Sequence, residues 1–169
     1  SSVHEGYLYL TRDGHKEMFS QIKKRVEYVE GESLKNLALH CSTQNRDFQP
    51  NEICRDLLAR HNWIGCLRQK FMFGAYEMLN RSQIPLDFVL DEHLVAGRLS
   101  AYQTLFLSNS ACLSDGQCAA ITAFVEQGGT LIATNETSLF DELGYERDNF
   151  ALADLFGVSY VGRCNEGQE

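Results

Sequence analysis

Cys112 follows the apolar run "TLFLS" (104–108) across a short loop, the position from which a strand-to-helix turn can present a nucleophile. A thiol acts near neutral pH only with a lowered pKa or a base in hydrogen-bond reach, usually a histidine oriented by a carboxylate. All five histidines (4, 15, 40, 61 and 93) precede Cys112, and only His40, at the end of an apolar segment, falls near it in a plausible fold. The plainer reading is a loop cysteine packed against the following helix. Glu136 and Asp141 form a second candidate, a carboxylate pair of the kind that cleaves glycosides across a sugar-sized cleft, although acidic loop residues usually cap amides or meet solvent. Arg46 beside Asp47 reads as a local ion pair or, alternatively, an anion site.

Metal and phosphate chemistry is less well supported. Cys54, His61 and Cys66 are spaced C-x6-H-x4-C, with Cys41 upstream. Cys54, Leu57, Leu58 and His61 also recur at the i, i+3, i+4, i+7 spacing of one helical face, so core packing explains them without zinc and no metal is expected. The glycines of "GGTLIATNE" precede a strand instead of following one, which suits a helix stop and not a phosphate-cradling loop. Trp63, Phe71, Phe73 and Tyr76 form either core or a sugar platform, and near-helical spacing favours core. No cofactor is implied.

These residues sit in a chain of 169 residues, 44% of them hydrophobic, which suffices for one ordinary core. The formal net charge of −8 repels a phosphate backbone, and the basic cluster Lys23-Lys24-Arg25 is flanked by Glu17, Glu27 and Glu30, so nucleic acid is not an expected partner. No apolar run approaches the ~20 residues that span a bilayer, so a membrane is not expected either. Six cysteines without a close pair suit a reducing compartment, hence the cytoplasm, with export left open.

The elements that must position the candidates follow from periodicity. Met18, Phe19, Ile22, Val26 and Val29 predict an amphipathic helix over 17–30, capped by Gly31. A strand is expected at 36–41, a polar loop at 42–49, helices at about 51–61 and 67–81, and strands at 86–90, 104–108 and 130–134. Ser114 with Gln117 forms a capping box that opens a helix, and Gly128-Gly129 closes it. "FALADLF" predicts a short helix ended by Gly157, and "VSYVG" (158–162) a fifth strand. Near-continuous apolar strands alternating with helices predict a doubly wound α/β domain with a mainly parallel sheet in the order 2-1-3-4. Its carboxyl rim would gather the loops 42–49, 109–113 and 135–142, which makes Ser42, Arg46, Asp47, Asn109, Asn135, Glu136 and Ser138 candidate ligand-binding residues.

The strings "LSNSACLSDGQ", "GGTLIATNETSLFDE" and "FALADLFGV", with "STQNRDF" and "FGAYEMLNRSQIPLDFV" upstream, resemble the middle, or trimerisation, domain of family 42 β-galactosidase-like glycoside hydrolases over about residues 34–161. The resemblance implies a flavodoxin-like, class I glutamine amidotransferase-like fold for 34–169. It also implies that 1–33 is a lead-in segment following a catalytic barrel that this sequence does not contain. In an amidotransferase the nucleophile sits on a G-x-C-x-G elbow; here the corresponding residues are Ala133-Thr134-Asn135-Glu136-Thr137, with Asn135 in the cysteine's place, and no histidine follows His93. By resemblance, then, the chain is expected to be a non-catalytic accessory or oligomerisation domain of a sugar-cleaving parent, self-associating as a trimer beside the parent's barrel. Trp63, Arg68 and Phe71 are its candidate interface residues. Two alternatives remain: a carbohydrate- or small-ligand-binding module using the strand-end loops, and a thiol hydrolase or amidotransferase-like enzyme using Cys112.

Overall fold

The computed structural model describes residues 12–29, 31–49 and 70–162. The chain divides into two units, Ser1–Ser33 and Leu34–Glu169. In the first, α1 (Arg12–Val29) begins five residues earlier than periodicity predicts and leaves Met18, Phe19 and Ile22 exposed. The predicted helix at 51–61, the start of the one at 67–81, and Cys54, His61, Trp63, Cys66 and Arg68 lie outside the described residues.

The second unit is an α/β layer structure. Its strands are β1 (Leu37–His40), β2 (Leu86–Val89), β3 (Thr104–Leu107) and β4 (Thr130–Ala133), all parallel, in the order β2-β1-β3-β4. Register sets Leu39 beside both Phe88 and Phe106, and Phe106 beside Ile132. Alternate residues of a strand face opposite sides, so the short apolar runs feed two cores. On one face Leu37, Leu39 and Phe106 pack against Met72, Ala75 and Leu79 of α3 (Lys70–Arg81). On the other, Ala38, Val89, Leu105 and Leu107 meet Cys118, Ile121 and Phe124 of α5 (Asp115–Glu126), together with Leu94, Leu99 and Leu152. A fully buried leucine or isoleucine contributes roughly 1.5–3 kcal/mol, so these inner strands, buried on both faces, hold the unit together.

Helix α5 is the element most clearly written in the sequence. The Ser114 Oγ accepts from the Gln117 backbone N–H at 3.3 Å while Gln117 Oε1 accepts from the Ser114 N–H at 2.8 Å. At the other end Gly128, at φ 96°, lets the Gly129 N–H reach back to the Phe124 carbonyl at 3.0 Å, a closing turn that side-chain-bearing residues rarely adopt. The short helix α6 (Ala153–Phe156) likewise ends at Gly157, at φ 68°.

Two expectations are corrected, and two short elements are added. The predicted polar loop at 42–49 is instead a helix, α2 (Thr43–Phe48), with Ser42 as N-cap. Its first amides are met by the Asp91 carboxylate from a distant segment, a partner that local sequence does not display. Residues 158–162 form no strand: the Tyr160 N–H donates to Asn149 Oδ1 at 2.8 Å and its ring packs edge-on against Phe150, so its backbone is committed away from the sheet. Asp91–Val95 (α4) and the 3-10 turn Arg98–Ala101 were not anticipated from periodicity, being too short to show one.

Gly129 lies against the Phe124 ring, where an added Cβ would come within 2.3 to 2.5 Å of three ring atoms. Phe124 is held in the core, so Gly129→Ala is expected to destabilise the protein by about 1–3 kcal/mol. Urea denaturation followed by far-UV circular dichroism checks this, and an unchanged midpoint would contradict the packing described.

Candidate functional site

The carboxyl ends of β1, β2 and β3 lie side by side, and each is followed by a polar group. From β1 comes His40, from the start of α4 just after β2 comes Asp91, and from the loop after β3 comes Ser110; all three are buried. His40 Nδ1 lies 2.8 Å from Ser110 Oγ, and His40 Nε2 lies 3.2 Å from Asp91 Oδ1, close enough for an ion pair but poorly aligned as a hydrogen bond. Asp91 is the busiest acceptor. Its Oδ1 takes the Ser42 hydroxyl at 2.7 Å, and its Oδ2 takes the Thr43 N–H at 2.7 Å, the Thr43 hydroxyl at 2.8 Å and the Gln44 N–H at 3.2 Å. Burial alone pushes the Asp91 carboxyl pKa up, but His40 and the donors of Ser42 and Thr43 outweigh it and hold the group well below the usual carboxylate range.

A second knot joins α2 to the two later loops. Ser42 Oγ accepts from the Asn45 N–H at 3.0 Å; the Asn45 amide then donates to the Asn109 carbonyl and accepts from the Cys112 N–H at 2.7 Å. Asn109, at φ 53°, accepts on its Oδ1 from Asn135 Nδ2 and from the Glu136 N–H, both at 3.2 Å. Ser138 donates its N–H to the Ser110 carbonyl at 3.0 Å and accepts the Leu152 N–H on Oγ at 3.2 Å. Gln49 reaches Glu136 Oε2 at 3.3 Å. Beside β4 an open cleft of about 510 Å³ is lined by Leu131, Ala133, Asn135, Phe150 and Phe156 among others.

Ser110, His40 and Asp91 supply the residue types of a nucleophile, a base and an orienting acid. Access is what they lack. The cavity that Ser110 and His40 border, with Cys41, Ser42, Asn45, Met72 and Ser108, measures about 10 Å³, room for one water and not for a substrate. Asp91 is saturated by structural donors, so the arrangement works as a buried clamp on three strand ends.

The seven predicted rim residues divide: three are buried, Glu136 is half-buried, and Arg46, Asp47 and Asn135 are exposed. Ser42, Asn109 and Ser138 are buried and spent on hydrogen bonds within the fold, whereas Asn135 is exposed at φ 56°, a tight turn directly after β4. Arg46 and Asp47 form the expected local ion pair at 2.8 Å, both well exposed. Asp141 caps its own loop by accepting from the Leu143 and Tyr145 N–H groups, each at 2.9 Å. Cys112 is fully buried among Ala111, Leu139 and Phe140, the surroundings of a packing thiol. Phe71 is partly exposed in the first turn of α3. Among the described residues no three His, Cys, Asp or Glu side chains gather as a metal site, and no helix is long and apolar enough to cross a membrane. Sequence reasoning missed Asp91, Ser110 and Asn45. The available signal was the strand order itself, which sets the polar groups after β1, β2 and β3 next to one another.

Fold and site together define a doubly wound parallel α/β domain whose strand-end rim is locked by its own side chains. No protein-family model and no curated protein matches the chain. Among solved structures it is similar to the β-galactosidase from Bifidobacterium adolescentis, at 18% identity and TM-score 0.55 over 76% of this chain and 55% of that one. It is also similar to Gan42B, a GH42 β-galactosidase, at 21% identity and TM-score 0.54, and to a catalytic mutant of Gan42B from G. stearothermophilus, at 21% identity and TM-score 0.56; each match covers 85% of this chain and 20% of that chain. The chain thus spans about half of one of these enzymes and a fifth of the other. At such identities the likeness is one of fold.

Two outcomes test the clamp. Asp91→Asn keeps the shape but removes the charge, and is expected to cost about 2–4 kcal/mol in urea denaturation. Because the folded pKa is depressed, the ionised group's contribution is present above the unfolded value of about 4 and is lost as pH falls below it. The stability gap between wild type and variant should therefore be full at pH 7 and shrink progressively below about pH 4; a gap independent of pH would refute the role of the charge. For the thiols, burial pushes Cys118 up to about 11, and Cys112 has no exposed surface. Both should resist iodoacetamide at pH 7.5 in the native protein and react once it is unfolded, as read by peptide mass spectrometry. Rapid native labelling of Cys112 would revive the thiol-enzyme reading.

Proposed function

We propose that this chain is a non-catalytic accessory domain, serving subunit contact, of a β-galactosidase-like glycoside hydrolase. The observation that carries this reading is the unequal coverage: the likeness takes in three quarters or more of this chain but only a part of each β-galactosidase it matches. The locked rim supports it independently. Glycoside cleavage needs two carboxyl groups flanking an open sugar site, and the carboxylates of this rim accept hydrogen bonds that shape the fold, Asp91 at α2 and Asp141 within its own loop. The Asn135 turn after β4 carries an amide where an amidotransferase-like elbow would carry a nucleophile, which favours a hydrolase-shaped scaffold without its reactive group. On this reading a catalytic barrel elsewhere in the parent supplies the acid and the nucleophile, galactosides are the substrate class, and the present domain contributes to self-association, three-fold by resemblance, with the segment from Trp63 to Phe73 as one candidate contact.

The isolated chain is accordingly expected to show no turnover of p-nitrophenyl β-galactoside above the buffer blank, with Glu136→Gln at the same blank level. A longer product of the same gene that includes a barrel is expected to hydrolyse it. Turnover by the isolated chain that Glu136→Gln abolishes would overturn the proposal, as would an inactive longer product that nonetheless folds and contains both barrel carboxylates.

A further inference from the structure

The cleft beside β4 differs from the buried clamp in being open and in carrying polar groups that the fold leaves free. Edge strand β4 turns Leu131 and Ala133 to the same side, and with Phe156 of α6 they make a half-buried apolar floor under about 510 Å³ of space. Phe150 forms a wall. Its ring is half-buried and fixed by near-perpendicular contacts with Phe156, centroids 6.1 Å apart, and with Tyr160, 5.6 Å apart. At the carboxyl end of the strand stand Thr134 and Asn135, both exposed. The left-handed backbone of Asn135, φ 56°, is tied down by its Nδ2, which donates to Asn109 Oδ1 at 3.2 Å. Among the described residues no hydrogen bond engages the Asn135 N–H or its Oδ1. Thr134 Oγ1 accepts from the Asn109 N–H at 3.1 Å, which leaves the hydroxyl proton free to donate.

We infer that this cleft is a binding site for a neutral pyranose sugar. The chemistry of the lining selects the class. Among its described residues none is charged, so neither an anion nor a cation finds a counter-charge there, and the chain's net charge of −8 further opposes an anion. A wholly apolar ligand would strip water from Asn135 and Thr134 and return no hydrogen bond, a cost that a hydroxylated ligand avoids. What fits is a molecule with one apolar face and several uncharged hydroxyls. A pyranose has both: its C–H face lies on aromatic and aliphatic side chains, while each hydroxyl donates and accepts at once. Adjacent hydroxyls can accept from the Asn135 N–H and donate to Asn135 Oδ1, with Thr134 donating to a third oxygen. The volume is that of an ordinary small-ligand pocket. The inference draws on the cleft alone and goes beyond the subunit-contact role, so it stands whether or not the parent cleaves galactosides.

Titration of the isotope-labelled chain with methyl β-galactopyranoside, methyl β-glucopyranoside and glucuronate, followed by amide NMR shifts, tests this. At least one neutral glycoside is expected to move the resonances of Asn135, Phe150 and Phe156 saturably, with a Kd of about 1–10 mM, the range open to so small a ligand. Glucuronate, a pyranose that carries a charge, is expected to bind at least about tenfold more weakly. Asn135→Gly keeps the left-handed turn at no steric cost and removes the amide. It is expected to weaken the neutral glycoside at least about tenfold, with resonances outside the cleft unchanged. No saturable shift with either neutral glycoside, shifts centred outside the cleft, glucuronate binding as tightly, or an unaffected Asn135→Gly variant would each overturn the proposal. If Asn135→Gly misfolds, the wild-type shift map and the glucuronate comparison decide the matter. Binding is read here without turnover, so this result and that of the galactoside assay are independent.

Discussion

A carboxylate taken out of water must be surrounded by donors or give up its charge, and that constraint organises the upper half of this domain. Asp91 meets it by collecting the Ser42 and Thr43 hydroxyls, two amides of α2 and the edge of His40 at one point. The donors come from the end of β1 and the start of α2, while the acceptor belongs to the segment after β2, and His40 carries the link on to Ser110 after β3. Three strand ends are thereby tied by one charge. The consequence reaches further than the hydrogen bonds themselves, because α2 fixed in this way sets Asn45 to bridge Asn109 and Cys112, and Asn109 in turn holds the turn at Asn135.

The polar groups at the ends of β1, β2 and β3 have the composition of an active site, yet they are buried and engaged with one another. In open α/β sheets ligands collect outside the carboxyl ends of the strands at the point where the order reverses, here between β1 and β3. In this protein that point is filled by the side chains of His40, Ser110 and Asn45. Serine, histidine and aspartate within hydrogen-bond distance are therefore insufficient evidence of hydrolysis; solvent access and an unsatisfied acid decide whether such a group reacts. The same fold carries many activities, so the likeness to β-galactosidases bears on architecture and leaves chemistry to the residues.

The sheet imposes a second constraint. Four parallel strands of four residues each bury β1 and β3 thoroughly but leave β2 and β4 at the edges, where Phe88 and Ile132 are nearly half exposed. Inner strands give stability, and outer ones give surface.

What the sequence by itself determined was everything whose cause is local. Apolar runs of strand length, the reciprocal cap of Ser114 and Gln117, and glycines at 128 and 157 able to take a left-handed turn place β3, α5, β4 and α6, and the alternation of strands with helices dictates a parallel sheet in the order observed. The neighbouring charges of Arg46 and Asp47 likewise pair as their adjacency requires. Tertiary structure decided what depends on partners distant in the chain. Residues 42–49 read as a loop until the Asp91 carboxylate, 48 positions after Thr43, caps their amides into a helix. Residues 158–162 read as a strand until Asn149 and Phe150 engage Tyr160 and divert it from the sheet. Whether the polar rim faced solvent or itself was beyond local reading for the same reason: hydrogen-bond satisfaction of a buried group is settled by geometry across strands, and periodicity along one segment carries no record of it.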